Sequence, residues 1–258
     1  MKKEVPDFLY HYTSINTLGL ILKHRKLRLN NLTAMDDLDE ADFGGKNWGK
    51  YCFISSWTEE EAESIPMWNM YSNNMQGVRI KMRSYPFEEY DLVAFKSLIR
   101  PEDVLNPMYT MPTYIQDSIL FCVEYDDIEY QKTMQAADII QIDGGQIKFC
   151  GERLGKWKNR YWDFQKEWRY RILAYPIGAL NSSNDPLLYN QQLQDFIRLV
   201  DLPFSDYYLN LCNEAIETME IVLGPKANEM DFEIVQMLAD KYSPGIKIKK
   251  SVLSGKIR

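Results

Sequence analysis

The chain has 258 residues, of which 45% are hydrophobic and 26% charged, and its formal net charge is −7 at pH 7. A chain of this length can bury a large core without disulfide or metal staples, and no apolar run approaches the roughly 20 residues that cross a bilayer, so we expect no membrane contact. The negative charge argues against a protein that coats nucleic acid without specificity.

The first third of the chain alternates strand patterns with helix patterns. Residues 7–13 (DFLYHYT) predict a short strand, and Ser14 is a suitable N-cap for a helix through about Lys23. Residues 26–30 and 51–57 predict two more strands, separated by an acidic turn or short helix at 33–45. A helix from Pro66 to Gly77 follows, and then a strand at 78–83 (VRIKMR) with Arg79 outward.

The rest of the chain continues this mixture. Residues 85–118 are irregular with helical pieces, 118–125 predict a strand, and 130–142 predict a helix. The longest alternating run lies at 164–175, and it is followed by a loop at 181–186 and helices at 188–199 and 206–215. A strand at 217–225, a helix near 230–238 and a strand at 245–253 complete the chain. Because strands and helices interleave without a linker, we predict an α+β fold in a single domain, 1–258.

Cysteine and histidine are sparse. The thiols Cys52, Cys122, Cys150 and Cys212 lie far apart, and the two histidines are His11 and His24. These spacings fit no ordinary zinc site, so we expect no metal. Four scattered thiols are typical of a protein in the reducing cytoplasm.

Basic residues concentrate in one window of the chain. Between Lys148 and Arg171 there are eight basic and three acidic residues, so the window carries +5 and the remainder −12. This balance favours an anionic ligand near the window, and a solvated charged surface is the alternative.

The long run at 164–175 contains the pattern with most bearing on chemistry. Period two places Gln165, Glu167 and Arg169 on one face, with the first two about 7 Å apart. A solvated or salt-bridged glutamate is the alternative. The sequence has no Gly-rich phosphate loop and no G-x-S-x-G elbow, and nothing pairs a histidine with a thiol. These absences leave open a reaction that relies on one carboxylate, a polar aromatic cleft and a bound cofactor.

Six motifs follow one another in the order LYHYTS, KLRLNN, YCFISSW, MWNMYSNNMQGVRI, QKEWRYRI and EIVLGPKA, and they cover about residues 8–250. This order resembles a family of bacterial proteins that carry a domain of unknown function related to the ADP-ribosyltransferases. The resemblance implies a split β-sheet core, surrounded by helices, that binds NAD as a substrate.

The resemblance also implies roles for individual residues. Glu167 matches the catalytic glutamate, and Gln165 completes a Q-x-E form of that motif. His11 matches the histidine on the first strand, while Ser55 and Ser56 match a serine position and Tyr71 a tyrosine position, so features of two subclasses are mixed. The remaining expected NAD contacts are Tyr12, Thr13, Arg28, Trp68 and Arg169. Packing of His11 between Tyr10 and Tyr12, and of Trp68 and Tyr71 in the core, is the alternative.

The implied function is transfer of ADP-ribose from NAD to a protein or nucleic-acid acceptor, as in a bacterial toxin or anti-phage effector, with an antitoxin or other regulatory partner allowed. A non-catalytic nucleotide- or nucleic-acid-binding module and a plain NAD hydrolase stay open. The glutamate role predicts that Glu167→Gln abolishes activity and leaves the fold intact. Lys156 and Lys158, in a loop-like LGKWKNR segment, are expected to be exposed and to attract an anionic acceptor.

Overall fold

The computed structural model describes residues 3–43, 46–126, 140–143, 146–149, 151–178 and 186–257. Its fold is α+β, and none of the described helices combines the length and apolar composition needed to cross a membrane. The helices are α1 (Ile15–His24), α2 (Ile65–Tyr71), α3 (Pro101–Val104), α4 (Gln116–Ile119), α5 (Pro186–Ile197), α6 (Asn213–Glu217) and α7 (Glu229–Tyr242).

Seventeen strands occur among the described residues, and nine of them form one mixed sheet. The nine are β1 (Phe8–Thr13), β2 (Lys26–Asn31), β5 (Cys52–Thr58), β6 (Val78–Arg83), β9 (Leu120–Cys122), β14 (Glu167–Leu173), β15 (Asp206–Asn210), β16 (Glu220–Leu223) and β17 (Lys247–Lys250). The others form two-stranded ribbons: β3 (Asp42–Phe43) with β4 (Lys46–Asn47), β7 (Tyr90–Asp91) with β8 (Lys96–Ser97), β10 (Glu124–Asp126) with β13 (Trp157–Asn159), and β11 (Ile140–Asp143) with β12 (Gln146–Phe149).

The main sheet runs in the order β15-β2-β5-β1-β6-β16-β17, and β14 pairs with both β5 and β9. The principal core lies on this sheet, and its fully buried members include Leu9, Leu18, Leu29, Phe53, Ile80 and Ile172. Strands β1 and β2 both pair with β5 in antiparallel fashion, β1 at Thr58 and β2 at Phe53 and Ile54, which leaves a gap in the sheet between them. Helix α1 carries the chain from one side of this gap to the other.

Local sequence signals explain the elements around this gap. The Ser14 hydroxyl accepts the Thr17 N–H at 3.1 Å and caps α1 as predicted. The helix ends at Arg25, whose φ of 52° is left-handed and whose N–H donates to the Ile21 carbonyl oxygen. Leu18, Ile21 and Leu22 then face the core with helical spacing.

Several predicted elements need correction. Residues 206–210 form strand β15 rather than a helix, because Tyr207 and Leu209 alternate inward and pair with β2. Residues 160–165 form a 3-10 helix, so the strand predicted from 164 begins at Glu167. Arg79 is buried against the Tyr10 ring rather than outward. Residues 140–142 belong to β11 rather than to a helix, whereas 130–139 and 181–185 lie outside the described residues.

Helix α2 is shorter than predicted. It ends at Tyr71, and Asn73, Asn74 and Met75 follow with φ of 50°, 59° and 69°. Gly77 has a different role, since a Cβ there would lie 2.2 Å from the Thr13 carbonyl oxygen. The glycine therefore lets the chain pass close to β1 before it enters β6.

Candidate functional site

The candidate site lies where one edge of β5 has no strand partner. Strand β14 pairs with the whole length of β5 along its other edge, from Cys52 to Thr58. On the open edge, β2 pairs with β5 at Phe53 and Ile54, and β1 pairs with it at Thr58. Residues 55–57 lie between these pairings, with no strand of the described residues beside them on that edge.

A cavity of about 730 Å³ opens at this gap. Ser55, Ser56 and Trp57 form its floor, and α1 contributes Thr17, Leu20 and Ile21 to its wall. Volumes of this size are typical of small-molecule and cofactor sites. The divergence of β1 from β2 thus creates a ligand-sized space in the middle of the sheet.

His11 spans the gap between β1 and β5. Its Nδ1–H donates to the Ser56 carbonyl oxygen at 2.9 Å, and its ring stacks on Trp57 with centroids 5.0 Å apart. Because a carbonyl only accepts, this bond fixes the tautomer and leaves Nε2 of the neutral ring as an acceptor. Burial lowers the pKa of His11, and the bond to Ser56 offsets only part of that effect.

Glu167 is buried at one end of the cavity and is held by two cations. Arg169 donates to both of its carboxylate oxygens, at 2.7 and 3.2 Å, and Lys158 Nζ lies 3.1 Å from Oε2. The Ser56 hydroxyl adds a further bond. Burial alone would raise the pKa of Glu167, but Arg169 and Lys158 outweigh it and hold the pKa at about 2. The carboxylate is therefore ionised throughout the physiological range.

A second carboxylate completes a buried cluster of four charges. Glu40 Oε2 lies 2.5 Å from Arg169 Nη1, and Glu40 Oε1 lies 3.4 Å from Lys158 Nζ. Burial raises the pKa of Glu40 in spite of these cations. Glu40, Glu167, Lys158 and Arg169 are all at least nine-tenths buried, so two anions face two cations away from water. Such a cluster is stable only as a balanced unit.

A chain of hydrogen bonds continues from Lys158 along the cavity. Lys158 Nζ donates to Gln165 Oε1 at 2.9 Å, and Gln165 Nε2 donates to the Tyr71 hydroxyl at 2.6 Å. Tyr71 in turn bonds the Asp36 carboxylate. Burial, followed by Asp36 and Glu167, raises the pKa of Tyr71, so its hydroxyl stays protonated. Lys158 thereby fixes both the orientation of the Gln165 amide and the position of Glu167.

The backbone at Lys166 brings Gln165 beside Glu167. Lys166 has φ 43° and is the C-cap of the 3-10 helix that precedes β14. The two side chains therefore meet through a left-handed residue between a 3-10 helix and a strand, and not through the period-two alternation that the sequence suggested. Gln165 and Glu167 both bond Lys158 Nζ, but the predicted placement of both residues on one strand is wrong.

The opposite end of the cavity is basic. His24, Lys26, Arg28, Asn30 and Tyr208 line it, on the end of α1 and on strands β2 and β15. Arg28 Nε donates to Asp206 at 3.0 Å and keeps half of its side chain exposed. The cavity therefore joins a buried carboxylate end to an open cationic end.

Nine of the eleven predicted site residues line this single cavity, although they come from different parts of the chain. They are His11, Tyr12, Thr13, Arg28, Ser55, Ser56, Tyr71, Gln165 and Glu167. The Ser55 hydroxyl already accepts the indole N–H of Trp57 at 3.0 Å, which leaves Ser56 as the serine bonded to Glu167.

Two predicted NAD contacts lie outside the cavity. Trp68 is fully buried, donates its indole N–H to Glu63 at 2.9 Å and packs edge-on against Tyr12. Arg169 is also fully buried, between Glu40 and Glu167, and cannot meet a pyrophosphate. Burial disfavours its charge, but the two carboxylates outweigh that cost and raise the pKa of Arg169 further. Trp68 is a packing residue, and Arg169 positions Glu167.

Lys158 also departs from the expectation of an exposed acceptor loop. It is 5% exposed and bonds Gln165 and Glu167, whereas Lys156 is partly exposed and pairs with Glu124 at 3.1 Å. The sequence reasoning did not identify Lys158, Glu40, Asp36 and Trp57 as members of the site. The acidic residues at 36–42 are typical of a solvent-exposed segment, and no periodic pattern in the sequence predicts that Glu40 is buried.

Within the described ranges, no group of three His, Cys, Asp or Glu side chains is arranged to hold a metal ion. Comparisons of the chain with protein-family models, with curated proteins and with solved structures found no match.

Proposed function

We propose that the cavity binds NAD and that the protein transfers ADP-ribose from it to a macromolecular acceptor. The observation that supports this most directly is the convergence of Glu167, Gln165, Ser56 and His11 on one cavity at a gap in the sheet. This is the arrangement expected of an ADP-ribosyltransferase-like split sheet, with the carboxylate on one strand and the histidine on another.

The buried carboxylate suits the charge that develops in this reaction. Breaking the bond between nicotinamide and ribose creates an oxocarbenium-like cation on the ribose, which a fixed carboxylate stabilises electrostatically. Glu167 is already ionised, and Arg169 fixes its orientation from outside the cavity. Lys158 lines the cavity, so it is the partner that a ribose hydroxyl would displace from Glu167.

The other lining residues fit the remaining parts of NAD. The ring of Tyr71 offers an apolar face to a planar nicotinamide, whereas Trp57 lies behind His11, whose ring packs on it. Nε2 of His11 is an acceptor for a ribose hydroxyl, as its tautomer requires. Arg28, at the cationic end, is placed to neutralise a phosphate.

One observation favours a second candidate, a nucleotide-binding module without turnover. Both oxygens of Glu167 are already engaged by Arg169, Lys158 and Ser56. If a ribose hydroxyl does not displace Lys158, the cavity binds the nucleotide and leaves it intact. A hydrolase that uses water as acceptor is the third outcome of the same test.

The test follows radiolabelled NAD in the presence of purified protein and lysate, with nuclease or protease digestion of the product. Label in macromolecules supports transfer, free ADP-ribose indicates hydrolysis, and bound but unchanged NAD indicates a module. The variant Lys158→Met/Glu167→Gln removes one charge of each sign from the buried cluster and should lower turnover by about 100- to 1000-fold. The matched control Glu220→Gln/Lys249→Met makes the same exchange in an exposed pair at the far edge of the sheet and should leave turnover unchanged.

A further inference from the structure

The densest basic segment of the chain lies at the mouth of the cavity. Residues 23–28 (KHRKLR) carry four Lys or Arg residues and one His with no acidic residue, in a chain of net charge −7. This segment joins the end of α1 to the start of β2, and its His24, Lys26 and Arg28 line the cavity. Lys26 and Arg28 thus differ from Lys158 and Arg169 of the 148–171 window, which are buried and paired with the Glu167 carboxylate.

The strands at this mouth present a flat row of side chains. Lys26, Arg28 and Asn30 lie on one face of β2 at every second position and line the cavity. The row from Lys26 to Asn30 is about 13 Å long at roughly 3.3 Å per residue. Tyr208, opposite Arg28 on β15, is 48% exposed and lies on the same side. Two cations and one open aromatic ring thus lie side by side on this face of the sheet.

The details of this row distinguish it from a merely solvated charged face. Arg28 is anchored by Asp206 at 3.0 Å and so needs little ordering to meet a ligand. The Asn30 carboxamide lines the cavity, and its Oδ1 has no hydrogen-bond partner among the described residues. Phosphate oxygens suit the cations, an exposed ring suits a base, and a carboxamide can bond a base edge.

We propose that the basic rim, defined as Lys23, His24, Lys26, Arg28 and Tyr208, binds single-stranded nucleic acid through its phosphates and one stacked base. The acceptor of the proposed function is then a nucleic acid rather than a protein, a step that rests on that function. An acidic peptide would engage the cations but would leave the Tyr208 ring without a stacking partner. A base paired within a duplex could not leave the stack to reach the cavity without being extruded first.

The first experiment measures binding of fluorescein-labelled 12-nucleotide single-stranded DNA and RNA by anisotropy, without NAD. Contact of three phosphates with Lys23, Lys26 and Arg28 predicts that the logarithm of the association constant falls with the logarithm of salt with a slope of about −2. Lys23→Glu/Lys26→Glu removes two of these three contacts and should reduce the slope to about −0.7 or closer to zero. Tyr208→Ala should weaken binding by about 5- to 150-fold, and Tyr208→Phe should retain it.

The matched control is Lys247→Glu/Lys250→Glu, an equal charge reversal on β17 at the opposite edge of the sheet. If this control weakens binding as much as the rim variant, if Tyr208→Ala has no effect, or if poly-glutamate competes as well as the oligonucleotide, the inference is overturned. A rim variant that loses NAD affinity but keeps oligonucleotide affinity also overturns it, because the rim would then serve the phosphates of NAD.

Nicotinamide release, assayed separately, keeps the two proposals apart. Absence of oligonucleotide binding with continued nicotinamide release refutes the rim inference alone. Oligonucleotide binding that shows the expected responses to salt and Tyr208, with no NAD turnover, supports the rim as a nucleic-acid site and refutes the transferase.

Discussion

Removal of Glu167 should destabilise the protein as well as inactivate it, contrary to the expectation from sequence that Glu167→Gln leaves the fold intact. The substitution leaves Arg169 and Lys158 buried with Glu40 as their remaining anion. Breaking a buried ion pair by removing one partner costs about 3–5 kcal/mol. We therefore expect Glu167→Gln to lower the free energy of unfolding by about that amount, or the melting temperature by roughly 6–20 °C.

The double variant Lys158→Met/Glu167→Gln separates charge imbalance from loss of contacts. It leaves one anion, Glu40, facing one cation, Arg169, at 2.5 Å. If Lys158→Met alone also costs about 3–5 kcal/mol, the double variant should cost clearly less than the sum, with a coupling energy of about 2–3 kcal/mol. Lys156→Met, at a partly exposed position outside the cluster, should change the free energy of unfolding by less than about 0.5 kcal/mol.

Urea unfolding of the wild-type protein and the four variants, followed by far-UV circular dichroism and extrapolated linearly to water, gives all the required values. Additive effects of Lys158→Met and Glu167→Gln would refute the reasoning, because additivity means that the two charges do not interact. Wild-type stability of Glu167→Gln would refute it as well, since two buried cations would then be tolerated with Glu40 as their single anion.

Three further predictions concern acid, His11 and Trp68. The folded-state pKa of Glu167, about 2, lies below its ordinary value of 4.5, so its contribution to stability is full above pH 4.5 and is lost as the pH falls towards 2. In an acid titration, Lys158→Met/Glu167→Gln should lose less stability over that range than the wild-type protein. The pKa of His11 is lowered from 6.5, so the unfolded chain binds its proton first and stability falls as the pH drops below 6.5. His11→Gln should reduce this fall in the melting temperature between about pH 5 and 7, and calorimetric titration should show that it weakens NAD binding more than it lowers the free energy of unfolding. Trp68→Phe leaves Glu63 without the indole N–H and should cost about 1–3 kcal/mol, whereas NAD affinity in the same titration should match wild type because Trp68 does not line the cavity.

The elements around the gap could be predicted because each carries its own local signals. Ser14 caps α1, the apolar spacing of Leu18 and Leu22 is helical, and residues 52–58 form an uninterrupted buried strand. Strand β15 could not be predicted in the same way, because five residues of mixed polarity fit a helix or a strand. Its conformation is decided by pairing with β2, more than 170 residues earlier in the chain.

The same distinction between local sequence signals and long-range contacts applies to the residues of the site. Glu167 and Gln165 could be identified because they fall in a recognisable local pattern, and His11 because it ends a strand pattern. Lys158 and Glu40 are buried because each pairs with opposite charges from distant segments of the chain. Without knowledge of those partners, a charged residue is expected to be exposed to solvent. Sequence patterns therefore located the residues of the cavity wall but not the charges that hold them in place.

The gap in the sheet should also be visible in hydrogen exchange. Strand β1 pairs with β6 along all six of its residues, but with β5 at Tyr10 alone. In an antiparallel strand successive amides point to opposite neighbours, so alternate amides of β1 are protected by β6 while those that face the gap lack a ladder partner. A buried central strand should therefore show fast and slow exchange in alternation, and a molecule bound in the gap should slow the fast set selectively. Such a pattern would report occupancy of the cavity without any knowledge of what fills it.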